Sequence, residues 1–74
     1  MAKQIYTTDG FGQRLRAARL EAELTQEELE LLTGMAPTWV SQLEHGRRLP
    51  SLPTFALLVR WIGCSADTLL MGDR

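Results

Sequence analysis

The sequence contains a single cysteine, Cys64, so no disulfide can form within the chain, and the lone thiol is expected to be a small core residue. It contains a single histidine, His45, and no pair of ligands at metal-binding spacing, so no metal site is expected. Stability must then come from helix packing or self-association, because 74 residues bury only one modest core. Met1 to Gly10 has no apolar run long enough for a signal peptide or an anchor, and a cytoplasmic location is expected. One His, one Cys and scattered carboxylates supply no nucleophile, base and orienter at a recognisable spacing. An enzyme is therefore not expected, nor a cofactor or small-molecule ligand. Repeats, low-complexity tracts and linkers are also missing, which leaves 1–74 as a single domain, with 1–8 a flexible N-terminus and 9–72 the folded part.

A basic excess is missing too. The formal net charge is −1, where a nucleic-acid binder usually carries a positive one. The distribution matters more than the sum. Glu21, Glu23, Glu27, Glu28 and Glu30 are crowded into ten residues, whereas Arg14, Arg16 and Arg19 precede them and Arg47 and Arg48 follow at a distance. A folded surface can thus separate an acidic face from a basic one.

What is present reads as five helices. Phe11, Leu15, Ala18 and Ala22 repeat at the spacing of one helix face, and Asp9 or Thr8 is placed to cap the first turn. Thr25-Gln26-Glu27-Glu28 is a capping box that starts a second helix, and Gly34 ends it. Pro37 suits the first position of a third helix, with Ala36 as a weak cap before it and Gly46 as its end. In this helix Val40, Leu43 and Glu44 cluster on one side, while Thr38, Ser41, Gln42 and His45 form a polar side open to a partner. Ser51, with Pro53 in the first turn, opens a fourth helix that Gly63 stops. Ser65 caps a short fifth helix, which ends near Gly72.

Two short helices joined at a tight glycine turn, the second presenting short polar side chains, make a unit that fits the major groove of B-DNA. The run Thr25-Gln26-Glu27-Glu28-Leu29, then Gly34-Met35, Val40-Ser41-Gln42-Leu43-Glu44-His45-Gly46-Arg47-Arg48 and Pro50-Ser51-Leu52 resembles the lambda-repressor/Cro-like (XRE-type) helix-turn-helix family over about residues 11 to 72. The resemblance implies an all-α, compact five-helix domain with the helix-turn-helix at helices two and three. It implies a transcription regulator that binds double-stranded DNA at a palindromic operator as a homodimer; a repressor is expected over an activator only because so short a chain has little room for further contacts. The helix from Pro37 to His45 would then lie in the major groove, and Gln26, at the start of helix two, would sit against a phosphate.

Within that frame Gln42 is the first choice for a base reader, because its amide can pair bidentately with adenine. Thr38, one turn earlier, offers a hydroxyl or a methyl to a base edge, and Ser41 shares the polar side. Trp39, about 40° round the helix from Leu43, is placed to pack over the helix edge and donate its indole N–H to a phosphate. His45 is a dipole partner or a phosphate contact, and Arg47 and Arg48 follow the helix where a loop would pass the DNA backbone. Arg14 and Arg16 are weaker candidates for the same role. Arg19 and Glu44 are implied by the resemblance to form a structural ion pair, not a DNA contact.

The sequence departs from the family pattern at three points. Glu30 stands where the family usually has alanine, and is expected to bend outward to solvent. Pro37 occupies a position that often supplies a base-contacting amide. The acidic total lowers the expected non-specific affinity. Leu57, Trp61, Leu69, Leu70 and Met71 provide more apolar surface than one core stripe requires, and are candidates for a twofold interface near helix five. The competing reading is a protein–protein interaction module, antitoxin-like or adaptor, built on the same fold.

Overall fold

The computed structural model describes residues 4–73; residues 1–3 and 74 of the expected single domain lie outside the described residues. The element order is β1 (Gln4–Tyr6), α1 (Phe11–Glu21), α2 (Gln26–Thr33), α3 (Trp39–Glu44), α4 (Leu52–Ile62), α5 (Ala66–Leu70) and β2 (Met71–Asp73). Five helices enclose a core of Phe11, Leu15, Ala18, Leu29, Val40, Leu43, Leu58, Ile62 and Leu69. Every helix contributes to it, which is how a short chain obtains one continuous core. Phe11 and Phe55 meet in a tilted ring pair with centroids 6.2 Å apart. Cys64 packs against the edge of the core, and its partial burial pushes the thiol pKa up.

The helix ends follow local chemistry in most places. Thr25 and Glu28 form the reciprocal capping box, and Ser51 and Ser65 accept from the backbone N–H groups of Thr54 and Thr68. Two starts differ from expectation. Neither Asp9 nor Thr8 caps α1 with its side chain; Gly10, at φ 77°, takes the cap position, and the Phe11 N–H donates to the Thr8 carbonyl. The third helix begins at Trp39, two residues later than expected, because Thr38 has φ 73° and ψ −7°. Those angles belong to the third residue of a type II turn. Pro37 stands in the second position, which it favours, and the Trp39 N–H donates to the Ala36 carbonyl across the turn. Pro37 is thus the corner leading into the helix and not its first residue.

Within the described residues, the chain ends differ from two expectations, that of a flexible N-terminus as far as it concerns residues 4–8 and that of a fifth helix running to Gly72. Gln4–Tyr6 and Met71–Asp73 pair antiparallel, with Ile5 opposite Gly72 and Tyr6 opposite Met71. Arg14 holds this ribbon to α1. Its Nε donates to the Leu69 carbonyl at 2.7 Å, Nη1 to that of Asp9 at 2.7 Å and Nη2 to that of Thr7 at 2.8 Å. With all three nitrogens bonded to backbone carbonyls, Arg14 acts as a clamp on the chain ends. The Tyr6 hydroxyl donates to Asp67, and this bond, with the nearby carboxylate charge, holds the phenol above its ordinary pKa.

The expected interface set does not form one patch. Leu69 is fully buried in the core and cannot meet a partner. Leu57 and Trp61 lie at least about 120° round α4 from Leu52 and Phe55. Leu70 lines an apolar groove on the latter side, with Leu49, Leu52 and Phe55. Met71 is half-buried in β2.

Candidate nucleic-acid interface

The third helix is short, so its orientation depends on what holds its two ends. At the C-terminal end Glu44 is buried, and its carboxylate accepts three bonds. Arg19 Nε reaches Oε2 at 2.6 Å, while Arg19 Nη2 and Gln26 Nε2 reach Oε1 at 3.1 and 3.0 Å. Arg19 Nη1 donates to the Leu24 carbonyl, so one guanidinium joins α1, the α1–α2 loop and α3. This is a fork-on-fork arrangement in which every guanidinium nitrogen makes a hydrogen bond, the condition under which a buried pair avoids an uncompensated charge. Gly12 supports the same end. A Cβ built there would lie 2.3 Å from the Glu44 carbonyl oxygen and 2.7 Å from that of Leu43, so α1 and α3 touch backbone to backbone.

At the N-terminal end the decisive residue is Glu30, and the structure overturns its expected outward pose. Its side chain is buried, and Oε2 accepts from the Val40 N–H at 3.2 Å. Thr38 makes no side-chain cap, so the carboxylate from α2 satisfies a donor in the first turn of α3 and brings a negative charge to the positive end of its dipole. Alanine permits close helix approach by being small. The glutamate here bridges the two helices by hydrogen bonding.

Between these anchors the outer face of α3 carries a connected row of side chains. Gln42 Nε2 donates to the Thr38 hydroxyl at 3.1 Å, and Arg48 Nε donates to Gln42 Oε1. The Arg48 guanidinium lies 4.4 Å from the centroid of the half-buried Trp39 ring, a stacking distance for a cation. The Ser41 carbonyl accepts from His45 Nδ1 at 2.8 Å, which places the ring proton on Nδ1 and leaves Nε2 an acceptor in the neutral ring. Contact between Nε2 and a phosphate therefore requires the doubly protonated form. Ser41 Oγ sits 3.4 Å from the same Nδ1.

A family profile described as "Helix-turn-helix domain" matches residues 11–70. The chain belongs to that family. The matched segment starts at the first residue of α1 and ends at the last of α5, so it takes in all five helices, α2 and α3 among them. The uncharacterized HTH-type transcriptional regulator y4mF of Sinorhizobium fredii is 32% identical over the whole of this chain and 97% of its own length. Two solved structures have closely similar folds. The restriction-modification controller protein C.AhdI of Aeromonas hydrophila is 34% identical over 82% of this chain and 92% of its own, with a TM-score of 0.77. The P22 c2 repressor, solved with a synthetic operator, is 30% identical over 81% of this chain and 91% of its own, with a TM-score of 0.75. The protein is thus a helix-turn-helix transcription regulator from a family of DNA-binding proteins, and not an enzyme.

In this helix-turn-helix the candidate contacts separate by what they touch. Thr38, Trp39, Gln42 and Arg48 are brought together on one face, with Ser41 and His45 beside them. Arg47 is exposed in the loop after Gly46. Gln26 stands apart, half-buried, with its amide nitrogen bonded to Glu44 instead of facing outward. Gly12 was missed by sequence reasoning, although a glycine inside α1 was a visible anomaly, and Glu30, noticed as an anomaly, was placed in solvent instead of between α2 and α3.

Proposed function

We propose that this regulator binds double-stranded DNA sequence-specifically, with α3 in the major groove, and acts as a repressor in the cytoplasm on a palindromic operator bound by a homodimer. The observation that carries the reading is the outer face of α3. It presents Thr38, Gln42 and Arg48 with no carboxylate among them, while the two acidic side chains nearest it, Glu30 and Glu44, are buried and hydrogen-bonded. An acidic total charge is compatible with this, because the exposed glutamates Glu21, Glu23, Glu27 and Glu28 belong to α1, the following loop and α2. The P22 c2 repressor's complex with its operator supports the choice of ligand.

Gln42 remains the first base reader. Its amide uses one lone pair and one N–H within the protein, which leaves one acceptor and one donor, the number that adenine N6 and N7 require. Arg47 neutralises phosphate. The dimer is assigned to the end of the molecule carrying α5, where Leu70 shares its groove with the exposed Leu49 and Leu52. A palindromic operator requires such a twofold to set both recognition helices on one side, about 34 Å apart, to meet successive major grooves.

The test is selection of bound duplexes from a random DNA library at moderate salt. An enriched palindrome is expected, with half-sites one helical turn apart; no enrichment by folded protein would favour the protein-interaction module. Gln42→Ala should relax preference most at the operator position that Gln42 reads, by about 1–3 kcal/mol, and leave the circular dichroism unchanged. Unaltered preference would remove Gln42 from the reading set.

A further inference from the structure

Arg48 lies outside the recognition helix in sequence, four residues beyond its last residue, and its neighbour Arg47 faces solvent. Its side chain nevertheless doubles back along the outer face of α3. The guanidinium reaches the ring of Trp39, the first residue of that helix, and Nε is held by Gln42 Oε1. Gln42 is in turn fixed by Thr38, so three successive contacts orient a cation over the N-terminal half of the helix. That half is the part a helix-turn-helix protein presents to base edges.

Two features separate this arrangement from a phosphate anchor. A phosphate contact needs charge and reach, which a freely moving arginine supplies. Arg48 is instead confined in plane by a stacked indole and in rotation by a directional bond. Its Nε is used, while Nη1 and Nη2, the end of the fork, make no hydrogen bond among the described residues. Two parallel N–H donors in one plane match O6 and N7 of guanine, the most common specific contact in the major groove. We infer that Arg48 is a specificity-determining residue that reads a guanine, positioned by Trp39 and Gln42, and is not a sequence-independent partner of the DNA backbone. This rests on the proposed DNA-binding reading and adds to it a second base and its identity. The guanine would stand beside the base read by Gln42, because the two side chains share a hydrogen bond.

Library selection with wild type, Arg48→Ala, Arg48→Lys and Arg47→Ala tests this, each variant first shown to be folded by circular dichroism. Wild type should select a half-site with a guanine next to the base that Gln42→Ala relaxes. Arg48→Ala should lose that guanine preference by roughly tenfold or more while other positions keep theirs. Arg48→Lys should lose it as well, since a lysine has the charge without the planar fork. Arg47→Ala should weaken all sequences alike and flatten the salt dependence. The inference is overturned if Arg48→Ala weakens every sequence by one factor and reduces the salt slope as Arg47→Ala does, or if Arg48→Lys retains the full preference. In both cases wild type still selects a site, so the loss concerns Arg48 alone. Absence of any selected site for wild type instead removes the DNA-binding reading, and this inference with it.

Discussion

Gly12→Ala should destabilise the protein, although helix propensity alone argues the reverse. A glycine inside a helix costs about 1 kcal/mol relative to alanine, so an exposed position of this kind would gain from the change. Gly12 is buried, and an added methyl would lie 2.3 to 2.7 Å from the backbone of Leu43 and Glu44. Backbone atoms cannot rotate away as a flexible side chain can, so α1 and α3 must separate. Overpacking of this kind costs about 1–3 kcal/mol or more. In a domain this small each kcal/mol moves the melting temperature by roughly 4–8 °C. A fall in Tm, followed by circular dichroism, is the expected result; a rise would show that α3 is free to move off α1. The displacement would also tilt the recognition helix, so DNA affinity should fall further than the unfolded fraction explains.

Glu44→Ala should have the largest effect on stability. It leaves the Arg19 guanidinium buried without its carboxylate and removes the acceptor of Gln26, in a side-chain pair only 8% and 2% exposed. Breaking one partner of a buried pair costs about 3–5 kcal/mol. Small domains have total stabilities toward the lower end of about 5–15 kcal/mol, so the variant should keep only a small part of its stability and begin to unfold near ambient temperature. Urea titration of Glu44→Ala beside the double variant Arg19→Met, Glu44→Leu separates lost charge pairing from lost volume. The double variant should be clearly more stable than Glu44→Ala, since neither charge is then stranded. Equal instability of the two would show that geometry at this site, and not charge, holds α3. Loss of DNA binding by Glu44→Ala therefore reports folding and does not identify a base contact.

Much of the helical architecture was readable because its signals are local. The capping box joins residues three apart, and the serine caps at Ser51 and Ser65 act over the same distance. The error at Pro37 shows where local chemistry stops. Proline's fixed φ suits both the first residue of a helix and the second of a turn, and only the next residue's backbone decides between them. Thr38, β-branched, is an improbable occupant of the left-handed region, so nothing in the sequence marked it. Glu30 was misplaced for a related reason. A glutamate is solvated by default, and its burial depends on a donor ten residues away.

The amino-acid sequence by itself determined the number and order of helices, the apolar stripes that form the core and the polar character of the third helix, because these depend on periodicity and on contacts within a few residues. Only the tertiary structure decided how that helix is held and which side chains meet on its outer face. Gly12 against Glu44, Glu30 under Val40, Arg14 across the chain ends and Arg48 over Trp39 all join segments that no spacing rule relates. Each depends on the distance between packed elements, and that distance is settled when the core closes.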